Sequence, residues 1–311
     1  MLLAALGGLG IGPVRLTPIE VWNALGGVGD VTAVAIMRDI RAPRVVLAAL
    51  VGAALAMSGA ALQGTMRNPL AEPYLLGVSG GAAVGAVLAV ASRAPFGLVP
   101  LGAFAGAVAA VMLVLAIARA GGRRPDPRVL LMAGVVVGAF ANAVIMIALA
   151  SAPADSVRNA LWWMMGSVAG ATWVQVGWFA AYGLVSAGAL LVIAPEIDVL
   201  ALGDDAAAGL GVNVDLAGRR AYVIASLLAA ATVAAAGLVG FVGLVVPHLV
   251  RPRAGSRHRI VIAAAGLAGA TLLIVADLVA RTLRAPSELP LGAVTAVAGV
   301  PFFLFQLRRF R

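Results

Sequence analysis

An all-α integral membrane protein with about ten transmembrane helices is the fold class this sequence predicts, and three observations carry that reading. Of its 311 residues, 62% are hydrophobic and only 11% charged, with a mean hydropathy of +1.05. Soluble domains carry charge on about a quarter of their residues, so an ordinary globular core does not fit this composition. The apolar residues gather into repeated runs near the length of about 20 residues that one bilayer crossing needs. Between those runs, the arginines fall in short connections, as they do in membrane proteins with a cytoplasmic excess of positive charge.

In chain order the expected spans are 1–11, 44–64, 74–92, 97–119, 129–151, 173–194, 220–236, 239–250, 260–283 and 291–307. The first is too short to cross, and is expected to be the remainder of a helix that begins upstream. It resembles a signal-peptide core but lacks a basic start and a convincing cleavage site. The eighth span is short and glycine-rich, so a half-helix joined to irregular backbone lining a cavity is expected there. Small residues recur at helical spacing, at Gly77, Gly81 and Gly85, at Gly102 and Gly106, at Gly134 and Gly138, and at Gly166 and Gly170. Such faces let helix backbones approach closely and favour a tightly packed bundle. No extramembrane stretch is long enough to fold alone, so residues 1–311 are expected to form one transmembrane domain.

All 22 basic residues are arginine, and the formal net charge is +9. Fourteen of them (Arg67, Arg119, Arg123, Arg124, Arg128, Arg219, Arg220, Arg251, Arg253, Arg257, Arg259, Arg308, Arg309 and Arg311) fall on one side of the expected topology. The other eight (Arg15, Arg38, Arg41, Arg44, Arg93, Arg158, Arg281 and Arg284) fall on the other. The first side is therefore assigned to the cytoplasm, together with both termini and residues 201–218. Arginines confined to such loops follow the positive-inside pattern and are not a nucleic-acid face. Without lysine the chain cannot carry a G-x-x-x-x-G-K-[ST] phosphate loop of its own. It has no cysteine, no H-E-x-x-H and no Ser/His/Asp set, so no catalytic or metal site is expected.

Five stretches stand out. "ALGDDAAAGLGVNVDLAGRR" (201–220) reads as a short helix, with Asp204 and Asp205 at its N-terminus, Ala206, Ala207 and Ala208 propagating it, and Gly209 and Gly211 ending it. It is either a solvated loop or a rigid knob, Leu210 included, that fits a groove on a partner. "RNPLAEPYLLGVSGG" (67–81) holds two prolines that oppose helix, so it is either a tight turn or a gate. "GLVGFVGLVVPHLVRPR" (237–253) contains His248, for which a structural role at a helix end is favoured over a ligand role. "RDIRAPR" (38–44) puts Arg41 and Arg44 on one helical face, while Arg281 lies one turn after Asp277. These arginines either snorkel to the surface or clamp carboxylates of a docking protein. "RNALWWMMGSVAGATW" (158–173) is read first as an interfacial aromatic belt, and otherwise as part of an apolar cavity for a planar solute.

At these residues the sequence resembles the FecCD-type permeases, the membrane subunits of ABC importers for iron-siderophores, haem and vitamin B12. The segments that carry the likeness are "RAPRVVLAALVGAALAMSGAALQGTMRNPLAEPYLLGVSGGAAVG", "ALGDDAAAGLGV", "GLVGFVGLVVPHLVR" and "ADLVARTLRAPSELPLGAVTAVAGVPFFLFQLRR", which together span residues 41–309. The resemblance implies the type II ABC importer permease fold, a homodimer with its pathway on the two-fold axis, two cytoplasmic ATP-binding subunits and a periplasmic substrate-binding protein. It implies a coupling helix at 204–211, and docking of the binding protein on Arg41, Arg44 and Arg281. A cytoplasmic gate is implied around Asn68, Pro69, Leu70, Leu75, Leu76 and Ser79. His248 falls in the family's Pro-His-x-x-Arg signature. The first helix is shorter than the family's, and Gly80 stands where some relatives carry a polar side chain near the gate.

The expected protein is a bacterial inner-membrane permease that is not itself an enzyme and binds no cofactor, ATP and Mg²⁺ residing on the partner ATPase. The "WWMMGSVAGATW" stretch resembles haem-permease relatives, so haem is the expected cargo, with Trp162, Trp163, Met164 and Met165 along its path. A ferric siderophore or cobalamin is the alternative. An ATP-independent secondary transporter is the rival class, but it expects intramembrane acids, and Asp277 is the one such residue the spans offer.

Overall fold

A computed structural model describes residues 1–12, 16–120 and 127–307. Arg15, Arg123, Arg124, Arg308, Arg309 and Arg311 of the charge count lie outside the described residues. The described residues form helices joined by turns and short irregular stretches, with no strand among them. Each of the ten expected spans falls on a helix.

The first span is α1 (Leu2–Gly10). Next come two short helices, α2 (Pro18–Gly26) and α3 (Val31–Ala35), and then a π-helical stretch, Ile36–Arg41, that runs into α4 (Ala42–Thr65). A capping box starts α2, the Thr17 amide donating to the Glu20 carboxylate at 2.7 Å. Beyond α4 lie a 3₁₀ turn (Pro73–Leu76), α5 (Val78–Ala91), α6 (Val99–Ala120), α7 (Pro127–Ala150) and α8 (Ala154–Met164). The rest is α9 (Trp173–Leu200), α10 (Asp204–Gly209), α11 (Val214–Ala236), α12 (Val242–Ala254), α13 (His258–Thr282) and α14 (Leu291–Leu307). Six helical units, with Val31–Thr65 counted as one, are long and apolar enough to cross a membrane; α5 and α14 are shorter apolar helices.

Helix α4 is the axis of the bundle. In its apolar window 78% of the residues are buried, against 28% in α9, which faces outward. An alanine- and glycine-rich helix that is apolar all round suits such a position, and α9, α11, α12 and α13 pack around it. In lipid, helices associate through close packing, because the surrounding tails are as apolar as the side chains. Gly52 of α4 therefore lies against the backbone of Gly269 in α13, and Gly59 against Gly243 in α12; a Cβ on either α4 glycine would overlap a carbonyl. The glycine faces of α5 and α6 meet in the same way, Gly81 on Gly106 and Gly85 on Gly102. Gly134 packs under the Leu75 carbonyl, whereas a Cβ at Gly138 or Gly170 would touch nothing within 4 Å.

The polar stretch differs from the expected 201–218 loop. α9 continues through Pro195 to Leu200, and α11 begins at Val214, so Arg219 and Arg220 are helical. Non-helical backbone is left only at 201–203 and 210–213 around α10. The reason is local: the Asn213 carboxamide oxygen accepts from the Leu216 amide at 3.0 Å and starts α11 early. With 28 residues, α9 is about 42 Å long, more than the bilayer's hydrocarbon thickness of about 30 Å, so its last turns can carry α10 clear of the lipid.

Candidate functional site

The short acidic helix is present as α10, ending two residues before the expected boundary, so Leu210 and Gly211 form its closing turn. Gly203, at φ +110°, turns the chain off α9, and Asp204 and Asp205 occupy the first turn, where the helix dipole favours acids. Ala207 is fully buried among Leu200 and Ala217, which fixes the helix between α9 and α11. The Gly211 and Val212 amides return to the Ala208 and Ala207 carbonyls, both at 3.0 Å, and Gly211 takes φ +81°. Asp205, Ala206, Ala208, Gly209 and Leu210 are exposed, Leu210 at 64%. The arrangement is a stiff knob with a small-residue surface.

The 67–79 segment has the non-helical backbone its prolines predict. Arg67 is left-handed at φ +51°, and the Asn68 side chain accepts from the Leu70 amide at 2.9 Å. Pro69, Leu70 and Leu75 are exposed, Leu76 is buried and Ser79, in the first turn of α5, is half-buried. Two contacts the sequence does not reveal tie this segment to its surroundings. Arg67 Nη2 pairs with Asp204 of α10 at 2.8 Å. The Glu72 carboxylate accepts from the Phe241 amide at 3.0 Å, next to the Tyr74 hydroxyl, which accepts from the Val239 amide at 3.3 Å.

Those amides belong to the break between α11 and α12, where irregular backbone at 237–241 precedes a helix of only 13 residues. The expected half-helix is therefore found, and a second break packs on it. The Ser167 amide donates to the Ala236 carbonyl at 2.8 Å. The Leu291 and Gly292 amides at the head of α14 donate to Gly166 and Met165, at 3.0 and 3.1 Å. Parts of three irregular segments (72–74, 165–167 and 237–241) thus meet inside the bundle. Non-helical backbone is tolerated at such depth only when its polar groups are satisfied by protein or by a water path.

At the opposite end of α4, Arg41, Arg44 and Arg281 come together, but they turn inward, contrary to their expected place on the surface. Their exposures are 4%, 6% and 6%. Arg44 donates to Asp277 at 2.8 Å and, through its other nitrogen, to Glu288 at 2.7 Å. Arg41 donates to the Leu9 carbonyl at 2.8 Å, while Arg281 reaches the Gly8 carbonyl and lies 3.8 Å from Asp277. For Arg44 and Arg281 the physical cause is Asp277, which is 2% exposed and needs a counterion at that depth, whereas Arg41 is drawn in by the carbonyls at the end of α1.

The four aromatic and methionine residues divide. Trp162 and Met165, three positions apart, share an exposed face, whereas Trp163 and Met164 pack inward on the bundle. His248 lies in α12, half-buried. The other histidine has the more defined role: the ring and backbone nitrogens of His258 both meet the Asp198 carboxylate at 2.7 Å, pinning the head of α13 to α9. Among the described residues no group of three or more His, Cys, Asp or Glu side chains could hold a metal ion.

The described residues thus form a multi-pass helical bundle with a buried small-residue axis, interrupted helices at its centre and a short rigid helix at one end. Its lineage is specific: the FecCD transport family model matches residues 1–309, and the chain belongs to that family. It is 38% identical over its whole length to the hemin transport system permease of Yersinia pestis, covering 93% of that protein. It is 44% identical to the cobalamin import system permease of Halobacterium salinarum, across 89% of this chain and 74% of that one. A ferric citrate import permease of Bacillus subtilis is 37% identical across 96% and 90%. A solved structure described as an inward-facing metal-chelate type ABC transporter superposes with a TM-score of 0.88 at 28% identity, over 99% of this chain and 96% of that one. The chain is thus a non-catalytic permease subunit of an ABC importer. The relatives' names divide among cobalamin, hemin and ferric citrate and favour none of them.

Proposed function

We propose that two copies of this chain form a bacterial inner-membrane import path on their two-fold axis, with both termini in the cytoplasm. Two ATP-binding subunits drive it through α10, and a periplasmic binding protein delivers cargo at the Arg44 end. The observation that carries this reading is α10 itself, a rigid helix seated through Ala207 with its exposed surface free for a partner. ATP and Mg²⁺ reside on the partner, since this sequence has no phosphate loop. The two-fold pathway is supported by α7, whose outward face carries Met132, Val135, Val136 and Phe140 together with exposed Asn142. An amide facing lipid is costly, whereas one facing a water-lined path is satisfied.

The direct test is Gly209→Glu with Leu210→Glu in the full complex. ATP hydrolysis is expected to continue within about twofold while uptake into proteoliposomes falls by about tenfold or more, the ratio expected when binding survives but the coupled step is lost. Uptake at the wild-type rate contradicts the lever.

For docking, an incoming acid competes with Glu288 for Arg44, because the Glu288 carboxylate is 40% exposed and lies against that guanidinium. Glu288→Gln is therefore expected to tighten the binding protein at low salt by a few-fold, about 0.5–1 kcal/mol for one partly exposed pair. Unchanged or weaker affinity argues for docking elsewhere.

The proposed cargo is haem, whose flat, largely apolar macrocycle suits the exposed Trp162 and Met165 face. Both histidines lie toward the cytoplasmic side in this orientation, so no histidine ligation of the iron along the path is expected. Accumulation of a ferric siderophore or cobalamin, and not of haem, by the loaded complex contradicts that choice.

A further inference from the structure

We propose that residues Arg67–Tyr74 form a strut that carries displacement of α10 to the broken backbone at 237–241 and so to the middle of α14. This inference rests on the ATP-driven reading above and names the residues that would transmit the stroke.

The segment is built to move as one piece. Its start is fastened to the last turn of α4, the Arg67 amide donating to Gly64 and the Asn68 amide to Gln63, at 3.3 and 3.2 Å. Inside it, the Asn68 side chain holds the Leu70 amide, the Ala71 amide returns to the Asn68 carbonyl at 3.0 Å, and Ala71 is fully buried. Pro69 and Pro73 fix two further backbone torsions. The end of α4 is thus a pivot, since α4 is the most buried of the long apolar helices.

On one side of that pivot stands Arg67, paired with Asp204 in the first turn of α10. On the other stand Glu72 and Tyr74, which hold the Phe241 and Val239 amides. Phe241 is left-handed at φ +68° and precedes the first turn of α12, so the Glu72 carboxylate takes the place of a cap on that helix. Its side chain lies against Gly299 of α14, where an added Cβ would come within 2.7 Å of the Phe241 Cβ. A shift of the lever therefore reaches α14 through two polar contacts and one rigid link.

The Arg67–Asp204 pair is 39% and 45% exposed. A pair in that setting adds little to stability, so its geometry matters more than its strength. That is also what makes the proposal testable, because variants there leave the fold intact.

The chain has no cysteine, so labels can be placed freely. Spin labels on Leu202→Cys beside the lever and Val297→Cys on α14 report the stroke in the assembled complex with its ATPase and binding protein. Wild type is expected to show a change in the distance distribution when nucleotide is trapped with vanadate. Arg67→Glu alone is expected to lose that change while hydrolysing ATP within about twofold of wild type, and Asp204→Arg alone to lose it as well. The double exchange, Arg67→Glu with Asp204→Arg, is expected to recover it. At the far end, Glu72→Leu is expected to lose the change, and Glu72→Gln, which keeps an acceptor for the Phe241 amide, to retain it. A full-size change in either single Arg67 or Asp204 variant, or none in the double exchange, overturns the strut while leaving the ATP-driven reading intact. A wild-type complex with no nucleotide-dependent change overturns both.

Discussion

Replacing Arg44 with methionine is expected to cost the folded chain about 3–5 kcal/mol, the range for removing one partner of a buried ion pair. The loss comes less from the missing attraction than from what remains. Asp277, 2% exposed, would keep its charge among apolar neighbours, with Arg281 at 3.8 Å its nearest cation. Arg44→Met combined with Asp277→Asn is expected to recover most of the loss, because the pair is removed together and Asn can still accept and donate hydrogen bonds. Thermal unfolding of the purified chain in detergent reads both variants. A single variant within about 1 kcal/mol of wild type, the worth of an exposed pair, would place the guanidinium in water and contradict its pairing with Asp277 inside the bundle.

The second large effect is expected from a single methyl group. Gly52→Ala puts a Cβ where the Gly269 carbonyl stands, so α4 and α13 must part along their length. Overpacking by a methylene typically costs about 1–3 kcal/mol, and here the obstacle is backbone that cannot change rotamer. Because helix association in lipid depends on close approach, the upper end of that range is expected. Gly138→Ala is the matched control: nothing lies within 4 Å of the added atom, and a change within about 0.5 kcal/mol is expected. Equal losses at both sites would contradict the packing described for α4.

The six long apolar helices were legible because lipid imposes one simple rule, about 20 apolar residues per crossing, and hydropathy reads it directly. Span ends were less legible, since a polar residue can end a membrane segment without ending a helix: α9 runs to Leu200 and α11 starts at its Asn213 cap. The short acidic helix α10 was legible from its own composition. Its partner was not, because Arg67 and Asp204 are 137 positions apart, and a single chain gives no sign of such a pairing. Arg44 with Glu288, 244 apart, and His258 with Asp198, 60 apart, were hidden for the same reason. Glu72 and the Phe241 amide are 169 positions apart, so that contact is equally invisible in the sequence. The division of Trp162 and Met165 from Trp163 and Met164, however, follows from helical spacing alone and was available in the sequence.

The central claim is that this permease moves solute only when an outside ATPase works its lever. It is tested most directly by reconstituting the chain in proteoliposomes with its binding protein, with and without the ATP-binding subunit, and following uptake of haem, cobalamin and ferric citrate offered separately. Accumulation of one of them only when both the ATPase and ATP are present is the predicted result. Sustained uptake from the permease and binding protein alone would contradict it.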